Sequence, residues 1–191
     1  MEAARILVAM NNDTSICKLK QILAESGFTV VDYAKDGHEC LRKMRSLRPE
    51  LTVLEYDLPL MSGYDVAKIA IEDKICDIVL ISSEVQKSLT DEIKRECGFV
   101  SMTKPLNKVS LVNTVEIMIK NRRKIMQLER EIQELKDTLD TRKEVEKAKG
   151  LLMKSLNLSE AEAFKRIQKQ SMDKGIPMKE IAKAIILAYD I

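Results

Sequence analysis

The sequence has no Trp, one His, six Gly and four Pro among its 191 residues. Aromatics make up only 4%, so a base-stacking platform would be sparse. A single histidine, His38, argues against a His-based zinc site and against a Ser-His-Asp hydrolase. It follows Gly37 near a predicted helix start and reads as a surface residue. So few Gly and Pro exclude collagen-like and Pro/Gly-rich disordered sequence and leave room for long helices. The cysteines, Cys17, Cys40, Cys76 and Cys97, form no CxxC pair. They read as reduced core residues of a cytosolic protein. No stretch reaches the roughly 18–20 apolar residues that span a bilayer. The opening MEAARILVAMNND lacks the basic region and long apolar stretch of a signal peptide. A cytoplasmic location away from the membrane is therefore expected. Excess charge of one sign is missing too: 32 Lys and Arg face 30 Asp and Glu, a net +2. That balance excludes a bulk polycation but leaves room for a local basic face.

What is present is a regular alternation. Five short apolar runs, Ile6–Ala9, Thr29–Val31, Leu51–Leu54, Ile78–Ile81 and Phe99–Val100, each have the length of a buried strand. Between them apolar residues recur at helical spacing, as in Ile16, Leu19, Ile22 and Leu23, or Val66, Ile69 and Ala70. Five such units over residues 1–120 predict a doubly wound α/β fold with a five-stranded parallel sheet. Ligands of such sheets sit at the carboxyl ends of the strands.

A different pattern occupies residues 121–143. Ile125, Leu128, Ile132, Leu135 and Leu139 step by 3, 4, 3 and 4, with Ile at two a positions and Leu at the d positions. That choice favours a parallel two-stranded coiled coil and so a homodimer. The alternative is an amphipathic helix packed on its own domain. No Gly or Pro lies between Pro105 and Gly150, so one helix can run from the sheet domain through the coil and onward. Residues 144–191 read as a three-helix bundle. The first helix ends near Leu156. Ser159-Glu160-Ala161-Glu162 announces the second with a capping box, and Gly175-Ile176-Pro177 separates it from the third. Ala148, Leu151, Leu152, Ala163, Phe164, Ile167, Ile181, Ala184, Ile185 and Ala188 are the expected shared core.

Leu58-Pro59-Leu60-Met61-Ser62-Gly63 after the third run, Thr103-Lys104-Pro105 after the fifth, and Asp36-Gly37 together resemble a two-component receiver domain of the CheY-like, flavodoxin-like fold. The resemblance covers the whole of residues 1–120. In that family an aspartate four residues before the Pro accepts phosphate, an acidic pair after the first strand holds magnesium, a hydroxyl senses the phosphate and a lysine pairs with it. Here the acceptor position is Glu55, the acidic pair falls on Met10 and Asn11, the hydroxyl is Ser82 and the lysine is Lys104. Ser101 replaces a frequent aromatic, and the nearby acids Asp13 and Asp57 fall in no matching slot. Magnesium needs hard oxygen ligands, and a thioether and a neutral amide are poor substitutes. Glu55 is one methylene longer than Asp and can reach Lys104 as a permanent partner. The expectation is a pseudo-receiver, kept for dimerisation and for docking a regulatory protein, with no metal, no cofactor and no catalytic step. Residual phosphorylation at Glu55 or Asp57 is the rival.

Val145-Glu146-Lys147-Ala148-Lys149-Gly150-Leu151-Leu152-Met153, Leu158-Ser159-Glu160-Ala161-Glu162-Ala163-Phe164, Ile167–Met172 and Met178–Ile185 resemble the ANTAR domain, an RNA-binding module of antitermination regulators. The layout and the degenerate receiver are similar to the amidase-operon type of antiterminator. The resemblance implies a dimer that binds paired hairpin loops in leader transcripts. Charge is consistent with it: residues 1–120 carry a net −2 and residues 121–191 a net +4. Candidate RNA contacts are Lys147, Lys149, Lys165, Arg166, Lys169, Gln170, Ser171, Lys179 and Lys183. The lysines suit phosphates, and Arg166, Gln170 and Ser171 suit unpaired loop bases. A DNA-binding response regulator and a sequestering protein are the alternatives, although Lys179–Ala188 lacks a base-reading Arg/Asn/Gln cluster.

Overall fold

The computed structural model describes residues 3–86 and 98–189. The chain divides into two compact units, Met1–Ile125 and Met126–Ile191. The first contains β1 (Arg5–Ala9), α1 (Asp13–Glu25), β2 (Thr29–Ala34), α2 (Gly37–Leu47), β3 (Leu51–Glu55), α3 (Gly63–Glu72), β4 (Asp77–Ser82), β5 (Phe99–Thr103) and the start of α4 (Lys108–Leu156). All five strands are parallel, in the order β2-β1-β3-β4-β5. This is the flavodoxin-like order, whose switch point lies between β1 and β3. Each predicted apolar run forms a strand. The helix expected between β4 and β5 lies outside the described residues, as does Cys97.

Strand side chains alternate between faces, and this sheet buries both. Ile6, Val8, Val53, Val79 and Ile81 join Ile16, Leu19 and Leu23 of α1 and Leu111, Val115 and Met118 of α4. Leu7, Ala9, Leu54, Ile78 and Leu80 join Cys40 and Met44 of α2 and Val66, Ala67 and Ala70 of α3. Each fully buried Leu or Ile contributes about 1.5–3 kcal/mol relative to its exposed state. Cys40 and Cys76 lie in this core as expected. Burial pushes the Cys76 thiol up to about 11 and raises the Cys40 thiol further. Cys17 departs from the expectation and is exposed. It sits one position beyond Ile16 on α1, about 100° off the buried stripe.

Short polar contacts set the helix starts. Asn12, Asp36 and Ser62 cap α1, α2 and α3 through their side-chain oxygens. Gly63 opens α3 against the end of β3, where a Cβ would lie 2.0 Å from the Glu55 carbonyl oxygen. Two arginines tie α4 to the opposite end of the sheet. Arg122 Nη1 donates to Asp77 Oδ1 at 2.6 Å. Arg123 donates through Nε and Nη2 to the two Glu50 oxygens at 2.7 and 3.0 Å. Burial raises the Asp77 carboxyl pKa despite its arginine. Glu50 is held below the usual range, first by its hydrogen bond from Arg123 and then, against the cost of burial, by the Arg5 backbone N–H.

The second unit packs the C-terminal end of α4 with α5 (Glu160–Lys174) and α6 (Met178–Tyr189). Its first helix is therefore part of one 49-residue helix, with no break near residue 144. Ser159 and Glu162 form the expected capping box at the start of α5. Gly175 ends the helix at φ 63°, a left-handed conformation that glycine adopts without a Cβ clash. The core comprises Val145, Ala148, Leu152, Ala163, Ile167, Ile181, Ala182, Ile185 and Ile186. Phe164, Ala184 and Ala188, expected inside, are exposed. The buried stripe of α6 runs 181, 182, 185, 186, so Ala182 and Ile186 take the places anticipated for Ala184 and Ala188.

The Glu50 pair has a pH signature. A carboxyl whose folded pKa is lowered contributes stability above its unfolded value of 4.5 and loses it as pH falls through the lower folded value. The pair is partly exposed, so its contribution is about 1 kcal/mol or less. Glu50→Gln should lower the urea midpoint at pH 7, and the difference from the parent should fade in the acid range below pH 4.5.

Candidate functional site

The receiver-type residues converge at the carboxyl edge of the sheet. Glu55 is the last residue of β3. Lys104 follows β5 and donates through Nζ to Glu55 Oε1. The Asn11 backbone N–H reaches Glu55 Oε2 at 3.4 Å. One carboxylate oxygen thus faces an ammonium and the other a loop N–H, so the charge of Glu55 is offset within the protein. Met10 is buried in the α1/α4 side of the core, and its backbone N–H is taken by the Ala34 carbonyl at 3.1 Å. Asn12, the next residue, is committed to the α1 cap: its Oδ1 accepts from the Thr14 and Ser15 N–H groups at 2.8 and 3.4 Å. Among the described residues there is no cluster of three or more His, Cys, Asp or Glu able to hold a metal.

Ser82 ends β4. Its backbone carbonyl accepts from the Lys104 N–H at 3.0 Å, and its buried Oγ has no hydrogen-bond partner among the described residues. The two nearby acids are engaged elsewhere. Gln86 Nε2 spans both oxygens of Asp57 at 2.8 and 3.0 Å, and Asp13 pairs with Lys35 at 2.7 Å. The clamp by Gln86 has no signature in the sequence, because it depends on a loop bringing residues 29 positions apart together.

The candidate RNA residues separate into classes. Lys165, Arg166 and Lys169 are exposed on α5. The pair Lys165/Lys169 is spaced i,i+4 and the pair Arg166/Lys169 i,i+3, so they are neighbours on the helix surface. Gln170 is half-buried. Ser171 Oγ donates to the Ile176 carbonyl at 2.6 Å, which commits it to the turn that ends α5. On α6, Lys183 is exposed and 3.2 Å from Glu180, while Lys179 is half-buried and 3.8 Å from Asp140. Lys147 is exposed.

Lys149 differs from all of these. It is 6% exposed. Its Nζ donates to both Glu146 oxygens at 2.8 and 3.0 Å and to Glu160 at 2.7 Å. These hydrogen bonds, Glu146 first, raise its pKa, and the same contact lowers that of Glu160. The sequence groups Lys149 with the RNA contacts, but its ammonium joins α4 to the start of α5. Phe164 departs in the other direction: 40% exposed, it presents a ring beside Lys165, where the sequence pattern suggests core.

Residues 6–116 match the response regulator receiver domain and residues 133–186 match the ANTAR domain. Over 182 residues the chain is 30% identical to the transcriptional regulatory protein PdtaR of Mycobacterium tuberculosis, covering 95% of this chain and 89% of that protein. It is 33% identical over 92 residues to a protein-glutamate methylesterase/protein-glutamine glutaminase of Archaeoglobus fulgidus. That match takes in 25% of the relative and carries no activity across. A response regulator receiver domain protein (CheY-like) from Methanospirillum hungatei is similar in structure, with a TM-score of 0.57 at 20% identity. The similarity covers 64% of this chain and 98% of that one and concerns the fold alone.

If Lys149 joins helices, substitutions there should rank by charge. Lys149→Glu sets a third carboxylate against Glu146 and Glu160 and should lower the melting temperature most. Lys149→Met keeps the aliphatic stem and should lower it less or not at all. Melts followed by far-UV circular dichroism check the order.

Proposed function

Since the chain belongs to the response-regulator family, with a receiver domain followed by an ANTAR domain, we propose that it is a cytoplasmic regulator that binds RNA as a homodimer and prevents transcription termination. The observation that carries this reading is the ANTAR match over residues 133–186, together with the exposed cationic residues on α5 and α6. Lys165, Lys169 and Lys183 supply phosphate contacts, whose number sets the salt dependence of binding. Arg166 and Gln170 address unpaired loop bases, and the exposed Phe164 ring offers a surface on which a base can stack. Lys147 and Lys179 stand at the margin of this set, and Lys149 has a structural role.

The dimer forms through the a and d residues. Ile125, Leu128, Ile132, Leu135 and Leu139 are 42, 43, 51, 64 and 58% exposed on a single chain. Side chains of this size at 3.5-residue spacing find cover in a second copy of the same seam. Two linked bundles then engage paired hairpin loops in a leader transcript. Avidity gains about 10²-fold or more only where the two loops match the span of the dimer. Holding the RNA in that form disfavours the terminator hairpin. No helix among the described residues is long and apolar enough to cross a membrane, in keeping with this location.

The receiver works here as a docking and dimerisation module independent of phosphorylation. Transfer to an acceptor needs a divalent metal to offset phosphoryl charge, and Met10 and Asn11 cannot supply its acidic ligands. Glu55 is already paired with Lys104.

Gel shifts with a double-hairpin RNA and with duplex DNA, at the same salt, test the reading. RNA should bind more tightly than DNA. Lys169→Glu with Lys183→Glu should abolish RNA binding while sedimentation still shows a dimer. Removing each phosphate-contacting lysine singly should flatten the log–log salt slope by about 0.7. Leu128→Lys with Leu135→Lys should yield a monomer. Incubation with acetyl phosphate and magnesium should leave the mass unchanged. Tighter binding to duplex DNA, or none to either, overturns the reading.

A further inference from the structure

On the sheet face covered by α1 and α4 lies a cavity of about 640 Å³, within the roughly 300–1,000 Å³ range of small-molecule sites. Met10, Leu19, Ile22, Leu106 and Leu111 supply its apolar wall. Met10 and Leu111 are 4% and 1% exposed, so side chains of the core itself reach its surface. Three lysines, Lys18, Lys104 and Lys108, also line it, and among the described residues no Asp or Glu does. Two acids outside the lining offset two of the cations: Glu55 pairs with Lys104, and Glu25 with Lys108 at 2.6 Å. Lys18 makes no ion pair with a described residue. The cavity thus combines an apolar wall with an excess of one positive charge.

We propose that this cavity is a binding site for a small organic anion with an apolar body, of which a medium-length carboxylate is the simplest case. The apolar body would lie against Met10, Leu19 and Leu111, and the headgroup would take Lys18. Met10 matters to this chemistry. An acidic residue at the same position would put a negative charge on the wall and repel such a ligand, whereas a thioether is soft, apolar and adaptable in shape. The inference concerns the first unit alone and stands whether or not the second unit binds RNA.

The test uses the full chain labelled with methyl-13C methionine, with the Met10 signal assigned from Met10→Leu. Octanoate, octanamide and inorganic phosphate are titrated separately. Octanoate should shift the Met10 methyl signal saturably, and phosphate should not. Octanamide should bind about tenfold more weakly, the size expected for one hydrogen bond to a charged group. Lys18→Gln should weaken octanoate to the level of octanamide and leave octanamide unchanged. Ser15→Phe, which sets a ring into the cavity from its wall, should abolish the shift, and circular dichroism melts should show both variants folded. Absence of a saturable shift in the parent protein overturns the proposal. So does equal affinity for octanoate and octanamide, or indifference of the signal to both variants. Gel shifts on the same samples keep the outcomes apart, since retained RNA binding without an octanoate response defeats this inference alone.

Discussion

A parallel sheet joined by crossover helices has no face it can leave to water, and the first unit follows from that constraint. Ile6, Val8, Val53 and Val79 need α1 and α4 on one side, while Leu7, Leu54, Ile78 and Leu80 need α2 and α3 on the other. The five strands run parallel, so the residues that follow β1, β3, β4 and β5 gather at one end of the sheet. Met10, Asn11, Glu55, Ser82 and Lys104 meet there because the connections are parallel. The same packing holds the start of α4 on the sheet, with Arg122 and Arg123 pairing with Asp77 and Glu50 at the far end.

At that edge the chemistry is closed upon itself. Glu55 has a lysine on one oxygen and a backbone N–H near the other. Asp57 is held by Gln86. Met10 carries a sulfur that packs into the core. A comparable neutralisation occurs in the second unit, where Lys149 is consumed by two glutamates. The exposed cations of α5 remain available by contrast, because Lys165, Arg166 and Lys169 lie off the Ala163/Ile167 stripe. Whether a lysine serves the fold or a ligand is thus decided by the face it occupies, since its chemistry is the same on both.

The elements were largely legible because their signals are local. Five apolar runs became five strands, Ser159 and Glu162 formed their capping box, and Gly175 ended its helix. Illegible features depended on rotation or on distant partners. In α6 the buried stripe differs from the expected one by Ala182 and Ile186 in place of Ala184 and Ala188. With Ile181 and Ile185 common to both stripes, periodicity cannot tell which flank faces inward. The hydrophobic character of Phe164 and Cys17 points inward, yet each adjoins a buried residue rather than sharing its face. The burial of Lys149 depends on Glu160 arriving from the next helix, which no spacing within α4 reveals.

The sequence by itself determined the element types, the presence of Met10 and Asn11 after the first strand, and the apolar seam from Ile125 to Leu139. These follow from side-chain identity and from periods of two, three and a half, or 3.6 residues, which the backbone must obey wherever it folds. Only the tertiary structure decided that Lys149 is buried against two glutamates, that Phe164 faces water, that Ser82 Oγ is buried without a partner among the described residues, and that Met10 shares a cavity with three lysines. Those facts are set by which surfaces meet when crossovers and helices close on one another. A contact between residues many positions apart leaves no mark in the local pattern of either.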